Sequence, residues 1–348
     1  MEKRIGINGF GRIGRAIFRI ARSERDVRIC CINDVNENLA NHAYLLKYDS
    51  IYGKFPGNVE LRKDSRSLEV DLESVPFYSL EDIRDVPWSS HDVDIVVDSS
   101  GNSTNFASAR EIADSGAVHG VIITQIADGF TDGTWIHGVE NGFDPRGKGK
   151  VISSSICDAV AIAPVLEILQ EHYGLKSGFV TTLHPWLNYQ NLLDGPVSSI
   201  SSPSHSWDDF GLARASTTSL IPKETRIVHA LRQVLPELAD RIKACSFRVP
   251  TAAVTAADLT LVLEKDISPE DIFQLFSHES RKIKPVTGFS EDHLVSIDFL
   301  KIRTPVVDSR WIRVNDKRNL KLLIWYDNEW TYSRKVLELV RSMGNSSN

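Results

Sequence analysis

The chain has 348 residues, of which 42% are hydrophobic and 25% are charged, an average composition for a globular protein. The formal net charge of -6 provides no general attraction to nucleic acid or to anionic lipid, so we expect neither partner. No run of about 18 apolar residues occurs, and we therefore expect no membrane-spanning helix. The first ten residues, MEKRIGINGF, lack the apolar stretch of a signal peptide, which favours a cytoplasmic location.

The first 150 residues carry the pattern of a parallel α/β sheet. Residues 3–9 and 27–34 are short apolar runs, and residues 12–23 between them have apolar side chains at helical spacing. A strand, a helix and a strand within about 30 residues predict a βαβ unit with parallel strands. Further strands are predicted at 93–98, 120–124 and 150–153. Together these elements indicate an open, mostly parallel sheet with helices on its faces.

The pattern changes near residue 155, where we expect a second domain. Long alternating runs predict strands, and together they favour a mostly antiparallel sheet with helices. Helices are predicted at 158–172, at 227–235, from Ser268-Pro269-Glu270-Asp271 onward and at 332–343; strands are predicted at 178–183, 245–264, 294–300 and 319–326. Residues 195–209 form a loop rich in serine and proline.

A glycine-rich segment indicates dinucleotide binding. Residues 9–14 fit G-x-G-x-x-G after a strand and at the start of a helix, and Asp34 follows about 20 residues later. Gly9, Gly11 and Gly14 would allow a tight turn and close approach to a pyrophosphate, and the helix start at Arg12 and Ile13 would supply N–H groups. Asp34 would bind a ribose and repel a 2′-phosphate, which favours NAD over NADP. A plain tight turn is the alternative interpretation.

One of the four cysteines is a candidate nucleophile. Cys30, Cys31, Cys157 and Cys245 include no C-x-x-C pair, so we expect neither a metal site nor a redox dithiol. Cys157 lies where a strand passes into a helix, and a helix N-terminus is expected to lower a thiol pKa. A buried structural cysteine is the alternative. His184 ends an apolar β run and has the same two interpretations, functional or structural.

Four motifs give the chain a family resemblance. They are INGFGRIGR near the N-terminus, IND at 32–34, FRVPT at 247–251 and WYDNEW at 325–330. In this order they resemble glyceraldehyde-3-phosphate dehydrogenase, and the similarity covers essentially the whole chain. The resemblance implies an α/β fold in two domains. The first is a doubly wound Rossmann-type NAD-binding domain over 1–155, completed by a C-terminal helix at 329–348. The second is an α+β catalytic domain over 156–328 with a mostly antiparallel sheet.

The resemblance also implies the reacting residues. The family segment S-C-T-T-N-C-L-A-P corresponds to Ile156–Pro164, so the implied nucleophile is Cys157. The family segment T-T-V-H corresponds to Thr181–His184, so the implied base is His184. In this mechanism His184 takes the thiol proton and the thiolate attacks an aldehyde to give a thiohemiacetal. Loss of hydride to the nicotinamide leaves a thioester, which phosphate or water releases in the family.

Further positions are carried over from the family pattern. Arg248 of FRVPT is implied to contact a phosphate, and Asn328 of WYDNEW the nicotinamide amide. Ser100, Gly101 and Thr124 match positions beside the family's cofactor, with an ordinary strand-end turn as the alternative. Family members are usually homotetramers, so we expect one here.

The chain departs from the family beside the nucleophile. Ile156 and Asp158 replace the serine and threonine that flank the family's cysteine. In the family this threonine helps to hold the attacking phosphate, which a carboxylate would repel. Asp158 is therefore a candidate base or a group that repels phosphate, and a helix N-cap is the alternative interpretation.

The segments that would hold the substrate phosphate also differ. In the second phosphate segment Thr225 is kept, but Arg226 replaces a glycine, which resembles the related erythrose-4-phosphate dehydrogenase. Three family positions are altered, to Leu187, Tyr189 and Leu212. Among the usual residues of the substrate-phosphate site, only Arg248 is kept. An inserted Ser/Pro-rich loop at about 196–207 precedes the segment.

These departures lead to three hypotheses. The first is an NAD-dependent oxidation of an aldehyde, phosphorylated or not, with altered substrate and phosphate sites that include Asp158, Thr225, Arg226 and Arg248. The second is an ordinary phosphorylating glyceraldehyde-3-phosphate dehydrogenase. The third is a catalytically silent NAD-binding protein.

Overall fold

A computed structural model describes residues 2–62, 66–147, 149–196 and 210–344. These residues form two compact units. The first contains the described residues of Met1–Trp135, Gly142–Ser155 and Ser333–Asn348, and the second contains those of Ile136–Asn141 and Ile156–Tyr332. Among the described residues, no helix is both long and apolar enough to cross a membrane.

The first unit contains a sheet with helices α1, α2 and α3. The elements are β1 Lys3–Asn8, α1 Arg12–Ala21, β2 Val27–Asn33, α2 Leu39–Lys47, β3 Val59–Arg62, β4 Ser67–Val70, β5 Glu73–Tyr78, β6 Ile95–Asp98, α3 Asn105–Asp114, β7 Gly120–Ile123, β8 Gly133–Thr134 and β9 Val151–Ser153. The described strands are ordered β3-β4-β5-β2-β1-β6-β7-β9-β8. The pairings among β2, β1, β6, β7 and β9 are parallel, whereas β3, β4 and β5 pair antiparallel.

Burial explains why the central strands are continuous apolar runs. Every residue of β6 and of β7 is buried, as expected for parallel strands that are covered on both faces. The register pairs Asn8 with Asp98, and Asp98 with Ile123. The carboxyl ends of β1, β6 and β7 therefore lie side by side at one edge of the sheet, where parallel α/β sheets bind their ligands.

The second unit is built around another sheet. Its elements are α4 Cys157–Tyr173, β10 Leu175–Pro185, β11 Ile221–Lys223, α5 Ile227–Val234, α6 Pro236–Ala239, β12 Ile242–Val249, β13 Thr255–Leu263, α7 Pro269–Ser280, β14 Gly288–Ser290, β15 Val306–Asp308, β16 Arg313–Asn315, β17 Asn319–Tyr326 and the first residues of α8 Trp330–Ser342. The described strands are ordered β11-β12-β10-β13-β17-β15-β14, and β16 pairs with β17. Antiparallel pairings predominate, although β10 pairs with β12 and β14 pairs with β15 in parallel.

The fold class predicted from the sequence is confirmed: a Rossmann-type parallel sheet in the first unit and a mostly antiparallel sheet in the second. Buried and less buried positions mostly alternate along β17, which is typical of a sheet with one face on a core. The start of α7 is also as predicted, because Ser268 at the cap position and Asp271 in the first turn form a reciprocal capping box, with Pro269 as the first helical residue.

Two strand predictions were wrong. Residues 294–300 contain a short 3-10 helix, Ser296–Phe299, because the Asp298 carboxylate accepts a hydrogen bond from the Val295 N–H and closes a turn. Only Phe299 of its apolar side chains is buried, stacked on Trp325. The run 245–264 is divided between β12 and β13, and these two strands flank β10 on opposite sides.

Candidate active site

The glycine-rich segment connects β1 to α1 in the first unit. Gly9 has a φ of +85°, and a Cβ added there would lie 2.4 Å from the backbone nitrogen of Ser100. A Cβ at Gly14 would lie 2.2 Å from the Gly9 carbonyl oxygen. A Cβ at Gly11, in contrast, would meet nothing within 4 Å. Two of the glycines therefore serve the packing of the chain itself, and Gly11 faces space that a pyrophosphate could approach.

Asp34 follows β2 and is bonded to the glycine-rich segment. Its Oδ2 accepts a hydrogen bond of 2.6 Å from the Phe10 N–H, and its Oδ1 accepts one of 2.9 Å from Asn36. The Nε2 of His42 lies 3.7 Å from Asp34 Oδ1. The sequence interpretation missed His42. No sequence motif around His42 indicated this contact, because only the folding of α2 brings the imidazole to the Asp34 carboxylate.

The start of α1 contains Arg12 and Ile13, both half-buried. The cap residue is Gly11, which has no side chain, so no side chain at the cap position bonds to the N–H groups at the start of the helix. The Arg12 guanidinium is 2.6 Å from the Asp49 carboxylate and lies over the Tyr52 ring. The Arg12 side chain is thus held within the protein, and its expected cofactor contact would come from its backbone.

Ser100, Gly101 and Thr124 lie at the ends of two adjacent strands and are organised by Asp98. Ser100 Oγ donates to Asp98 Oδ1 at 2.7 Å, and Thr124 Oγ1 donates to the Asp98 carbonyl at 3.0 Å. Gly101 has a φ of +71°. Burial raises the pKa of the Asp98 carboxyl group. These residues share the sheet edge with Gly9, because β6 pairs directly with β1.

Cys157 is the first residue of α4 in the second unit. Its Sγ lies 3.8 Å from His184 Nε2 and 3.5 Å from Asp158 Oδ1, to which the thiol donates. The helix has Ile156 at its cap position, without a side-chain hydrogen bond. The thiol therefore has two possible proton acceptors, one imidazole and one carboxylate.

His184 is buried near the end of β10. Its Nδ1 lies 2.7 Å from the Pro185 carbonyl oxygen, which can only accept a hydrogen bond, so Nδ1 carries the proton. Nε2 then presents a lone pair to Cys157. Burial lowers the pKa of His184 to about 4; Arg248 acts in the same direction, and Asp158 opposes it. The imidazole is consequently neutral at pH 7.

The electrostatics of Cys157 contradict one sequence expectation. Burial raises the pKa of its thiol well above the ordinary value, and the Asp158 carboxylate raises it further. Arg248 and a backbone N–H lower it by less. The expectation of a lowered thiol pKa is thus wrong, because desolvation and a neighbouring negative charge outweigh any effect of the helix N-terminus.

Asp158 is the second residue of α4, so the N-cap interpretation is also wrong. Its side chain points to the thiol, and Oδ1 accepts a hydrogen bond of 2.7 Å from the Tyr326 hydroxyl. Burial and the charge of Asp158 raise the pKa of Tyr326 well above its ordinary value, which keeps this hydroxyl protonated as the donor. Tyr326 is a residue that sequence reasoning did not assign to the site.

Arg248 lies beside His184 because the parallel register of β10 and β12 pairs these two residues. Its Nη2 donates to the Tyr189 hydroxyl at 3.4 Å. Its Nε is buried and has no hydrogen-bond partner within the described ranges. Arg248 thus retains an unused donor next to the Cys157–His184 pair, as a residue that binds an anionic substrate would.

Thr225 and Arg226 lie between β11 and α5. Thr225 Oγ1 accepts a hydrogen bond of 3.3 Å from the Ile227 N–H, and Arg226 is exposed at the cap position of α5. No hydrogen bond or ion pair in the described part of the chain joins either of them to Cys157. Most of the inserted loop at 196–207 falls within 197–209, outside the described residues.

Asn328 lies between β17 and α8. The neighbouring Asp327 accepts hydrogen bonds from the N–H groups of Glu329 and Trp330 through Oδ1, and from that of Lys301 through Oδ2. These bonds order the turn that carries Asn328. The Asn328 Oδ1 is buried and lacks a partner among the residues described, so it is an acceptor available to a ligand.

Comparison with known families decides the affiliation. Residues 3–106 match the family model described as glyceraldehyde 3-phosphate dehydrogenase, NAD binding domain, and residues 156–328 match that of its C-terminal domain. The chain belongs to the glyceraldehyde-3-phosphate dehydrogenase family. NAD is the cofactor of this family member, and the protein is an NAD-dependent oxidoreductase.

Its relatives match over nearly the full chain. Glyceraldehyde-3-phosphate dehydrogenase GAPCP1, chloroplastic, of Arabidopsis thaliana is 35% identical over 98% of this chain and 78% of the relative. Glyceraldehyde-3-phosphate dehydrogenase 1 of Bacillus cereus is 34% identical over 98% of both chains. Glyceraldehyde-3-phosphate dehydrogenase 2 of Kluyveromyces marxianus is 35% identical over 97% of this chain and 98% of the relative.

Proposed function

We propose that the protein oxidises an aldehyde with NAD through a thiohemiacetal and a thioester on Cys157, as an aldehyde dehydrogenase with altered substrate and phosphate sites. The observation that carries this proposal is the geometry of Cys157 and His184. The Nε2 lone pair is 3.8 Å from the thiol, and the Nδ1 bond to the Pro185 carbonyl selects the tautomer in which Nε2 can act as a base.

The chemistry follows from this pair. Neutral His184 takes the thiol proton, the Cys157 thiolate attacks the carbonyl carbon, and the imidazolium returns the proton to the new oxyanion to form the thiohemiacetal. When that carbon is oxidised, His184 removes the hydroxyl proton, and a thioester remains on Cys157. NAD, when bound, supplies the acceptor for the hydride.

We assign NAD binding to the first-unit residues around the glycine-rich segment and to Asn328. The steric role of the glycines, the acceptors on Asp34 and the Asn328 Oδ1, which has no partner among the described residues, support this assignment. The proposed cofactor-binding residues are Gly9, Gly11, Arg12, Ile13, Gly14, Asp34, Ser100, Gly101, Thr124 and Asn328.

The altered acceptor site rests on Asp158. Its carboxylate lies 3.5 Å from the sulfur that would carry the acyl group, and it is held there by Tyr326. A phosphate dianion that approached the thioester would meet this negative charge, whereas water would not be repelled. We therefore propose that water or another uncharged acceptor releases the acyl group. Arg248, with its free Nε, is proposed to bind an anionic group of the substrate, together with Thr225 and Arg226.

Two other functions have specific support. The names of the relatives, at about 35% identity over nearly the whole chain, support an ordinary phosphorylating glyceraldehyde-3-phosphate dehydrogenase. The raised pKa of the Cys157 thiol supports a catalytically silent NAD-binding protein, since less thiolate is then present at neutral pH.

One experiment separates the first two functions. The purified protein is incubated with NAD and a panel of phosphorylated and unphosphorylated aldehydes, each with and without inorganic phosphate, and NADH formation is followed. We expect turnover without phosphate. Strict dependence on phosphate with glyceraldehyde 3-phosphate as the best substrate would instead identify the ordinary enzyme.

A second experiment tests the silent alternative. The protein is treated with iodoacetamide, and the alkylated cysteines are located by mass spectrometry. Rapid modification at Cys157, compared with exposed Cys245 as an internal reference, supports an enzyme, and an inert Cys157 supports a silent protein.

We also propose a homotetramer in the cytoplasm. Exposed apolar side chains on β10, Phe179 at 67% and Leu183 at 42% exposure, support association with further copies. All four cysteines are free thiols, which is the usual state in a reducing compartment. Sedimentation equilibrium tests the tetramer, and a single monomeric species would contradict it.

A further inference from the structure

We propose that Cys157, Asp158 and His184 form a binding site for a borderline-soft divalent cation of the zinc class. One ligand atom from each of the three residues lies within 4.8 Å of the other two. The Sγ–Nε2 and Sγ–Oδ1 distances are 3.8 and 3.5 Å. A tetrahedral zinc ion, at about 2.3 Å from sulfur and about 2.0 Å from nitrogen or oxygen, needs ligand atoms roughly 3.5 Å apart.

Two of the ligands are already oriented by other groups. The His184 Nδ1–H donates to the Pro185 carbonyl and leaves Nε2 directed at the sulfur, an arrangement common around histidines that bind metals. The Tyr326 hydroxyl donates to Asp158 Oδ1 and fixes that carboxylate. The imidazole and the carboxylate are therefore already held beside the sulfur, and a bound ion would have to draw the three ligand atoms, now within 4.8 Å of one another, closer together.

The charges also favour a dication. Upon binding, the Cys157 thiol releases its proton to solvent, so a thiolate and the Asp158 carboxylate together neutralise the two charges of the ion, with neutral His184 as the third ligand. The hydrogen bond from the thiol to the Asp158 carboxylate is thereby replaced by two attractions to the cation. Arg248 is the opposing positive charge in this environment. The two anionic ligands, the thiolate and the carboxylate, offset the repulsion between Arg248 and the ion.

Asp158 makes this site different from the pattern that the family shares. A threonine at this position would leave a cysteine and a histidine alone, whereas the carboxylate adds a third ligand on the adjacent residue. Three protein ligands leave the fourth tetrahedral position for a water molecule. Because a bound ion occupies the Cys157 sulfur, the cation would block any reaction at that atom. Binding itself does not depend on the function proposed above.

The direct test uses Co²⁺ as a spectroscopic probe of the zinc site. The reduced full-length protein is titrated with Co²⁺, and the thiolate-to-cobalt charge-transfer band is recorded, followed by displacement with Zn²⁺. We expect one Co²⁺ per chain, with a band that Zn²⁺ abolishes. Absence of the band at saturating Co²⁺, or a band that persists in Cys157→Ser, would overturn the proposal.

Variants test the contribution of the carboxylate. Asp158→Asn preserves the size of the side chain, and we expect its Co²⁺ affinity to fall by at least about 10-fold. The matched controls Cys245→Ser and Asp266→Asn change exposed residues outside the site, and their affinity should stay within about twofold of the wild type. An Asp158→Asn affinity equal to that of these controls would show that the carboxylate is not a ligand.

A measurement on the unaltered protein covers the case in which a variant fails to fold. Zn²⁺ should protect Cys157 from iodoacetamide while exposed Cys245 remains reactive, and a chelator should reverse the protection. The measurement is made at a pH at which Cys157 is alkylated without metal, and equal alkylation there with and without Zn²⁺ would refute the site.

Discussion

The glycine-rich segment of the first unit and the thiol site of the second unit are built in different ways. In the first, Gly9 and Gly14 are required by contacts with nearby backbone, and Asp34 has hydrogen-bond partners on both oxygens. In the second, Cys157 meets groups from distant parts of the chain, and the adjacent Asp158 alters its electrostatics.

This difference separates a segment that follows the dinucleotide-binding pattern from a site that departs from the family pattern. The nucleotide segment fulfils the steric requirements of an ordinary dinucleotide site, so the cofactor is the expected one. The thiol site contains the cysteine and histidine that the family pattern implies, but a carboxylate lies 3.5 Å from the sulfur. The change of substrate or acceptor that we propose would therefore lie in the second unit.

The largest expected effect is the loss of the nucleophile. Cys157→Ser should reduce turnover of the best aldehyde by at least about 10³-fold, because a serine hydroxyl is hardly ionised beside this imidazole. NAD affinity, measured by calorimetry, should stay within about twofold, since the glycine-rich segment belongs to the other unit. The control Cys245→Ser should retain full turnover. Substantial activity in Cys157→Ser would remove the thioester from the mechanism.

Two glycine variants separate packing from binding in the first unit. Gly14→Ala should lower the free energy of unfolding by about 1–3 kcal/mol, because its Cβ would overlap the Gly9 carbonyl. Gly11→Ala should leave stability unchanged, because its Cβ would project into open space. It should nevertheless weaken NAD binding by about 10-fold or more, because the pyrophosphate is proposed to approach through that space. Thermal unfolding and NAD titration give both values. Equal NAD affinity in Gly11→Ala and the wild type would contradict the proposed approach of the pyrophosphate.

Restoring the family threonine tests the acceptor site. Asp158→Thr should raise the ratio of the turnover rate with phosphate to that without it by about 10-fold. Removal of a charge at about 4 Å relieves a repulsion of about 1–4 kcal/mol. Tyr326→Phe is the matched control, because it removes the hydrogen bond but leaves the carboxylate. An unchanged ratio in Asp158→Thr would show that Asp158 does not exclude phosphate.

The smallest expected effect concerns acid stability, because each unit contains an aspartate that is paired with an arginine. Asp308 is fully buried, lies 2.6 Å from Arg310 and accepts a bond from Trp325; these partners hold its pKa below the ordinary value, against the effect of burial. The pKa of Asp49 is also lowered against the effect of burial, by backbone N–H groups of Tyr52 and Ile51 and by the Arg12 guanidinium.

A carboxyl group with a lowered pKa in the folded state stabilises the protein above its unfolded pKa of about 4, and this contribution is lost as the pH falls through the lower folded value. The free energy of unfolding, measured in urea, should therefore decline below about pH 4. The deficit of Asp308→Asn relative to the wild type should shrink by about 1 kcal/mol between pH 7 and pH 3. A deficit that does not change with pH would show that the Asp308 charge does not contribute.

Much of the architecture was readable from the sequence because its causes are local. The helical spacing of residues 12–23 and the capping signal at Ser268 correspond to α1 and α7. The prediction of a strand at 294–300 failed because one hydrogen bond from Val295 to Asp298 formed a turn that apolar spacing cannot reveal. The short strands β3, β4 and β5 were missed since their pairing depends on neighbours and not on their own pattern.

The sequence by itself determined the glycine-rich segment and the position of Cys157 at a strand-to-helix junction, because each depends on a short run of consecutive residues. Only the tertiary structure decided what surrounds the thiol. The register of β10 and β12 brings Arg248 beside His184, and β17 brings Tyr326 to Asp158. The rise in the pKa of Cys157 has both origins, because burial, its largest cause, comes from the tertiary structure, whereas the charge of Asp158 comes from the adjacent residue.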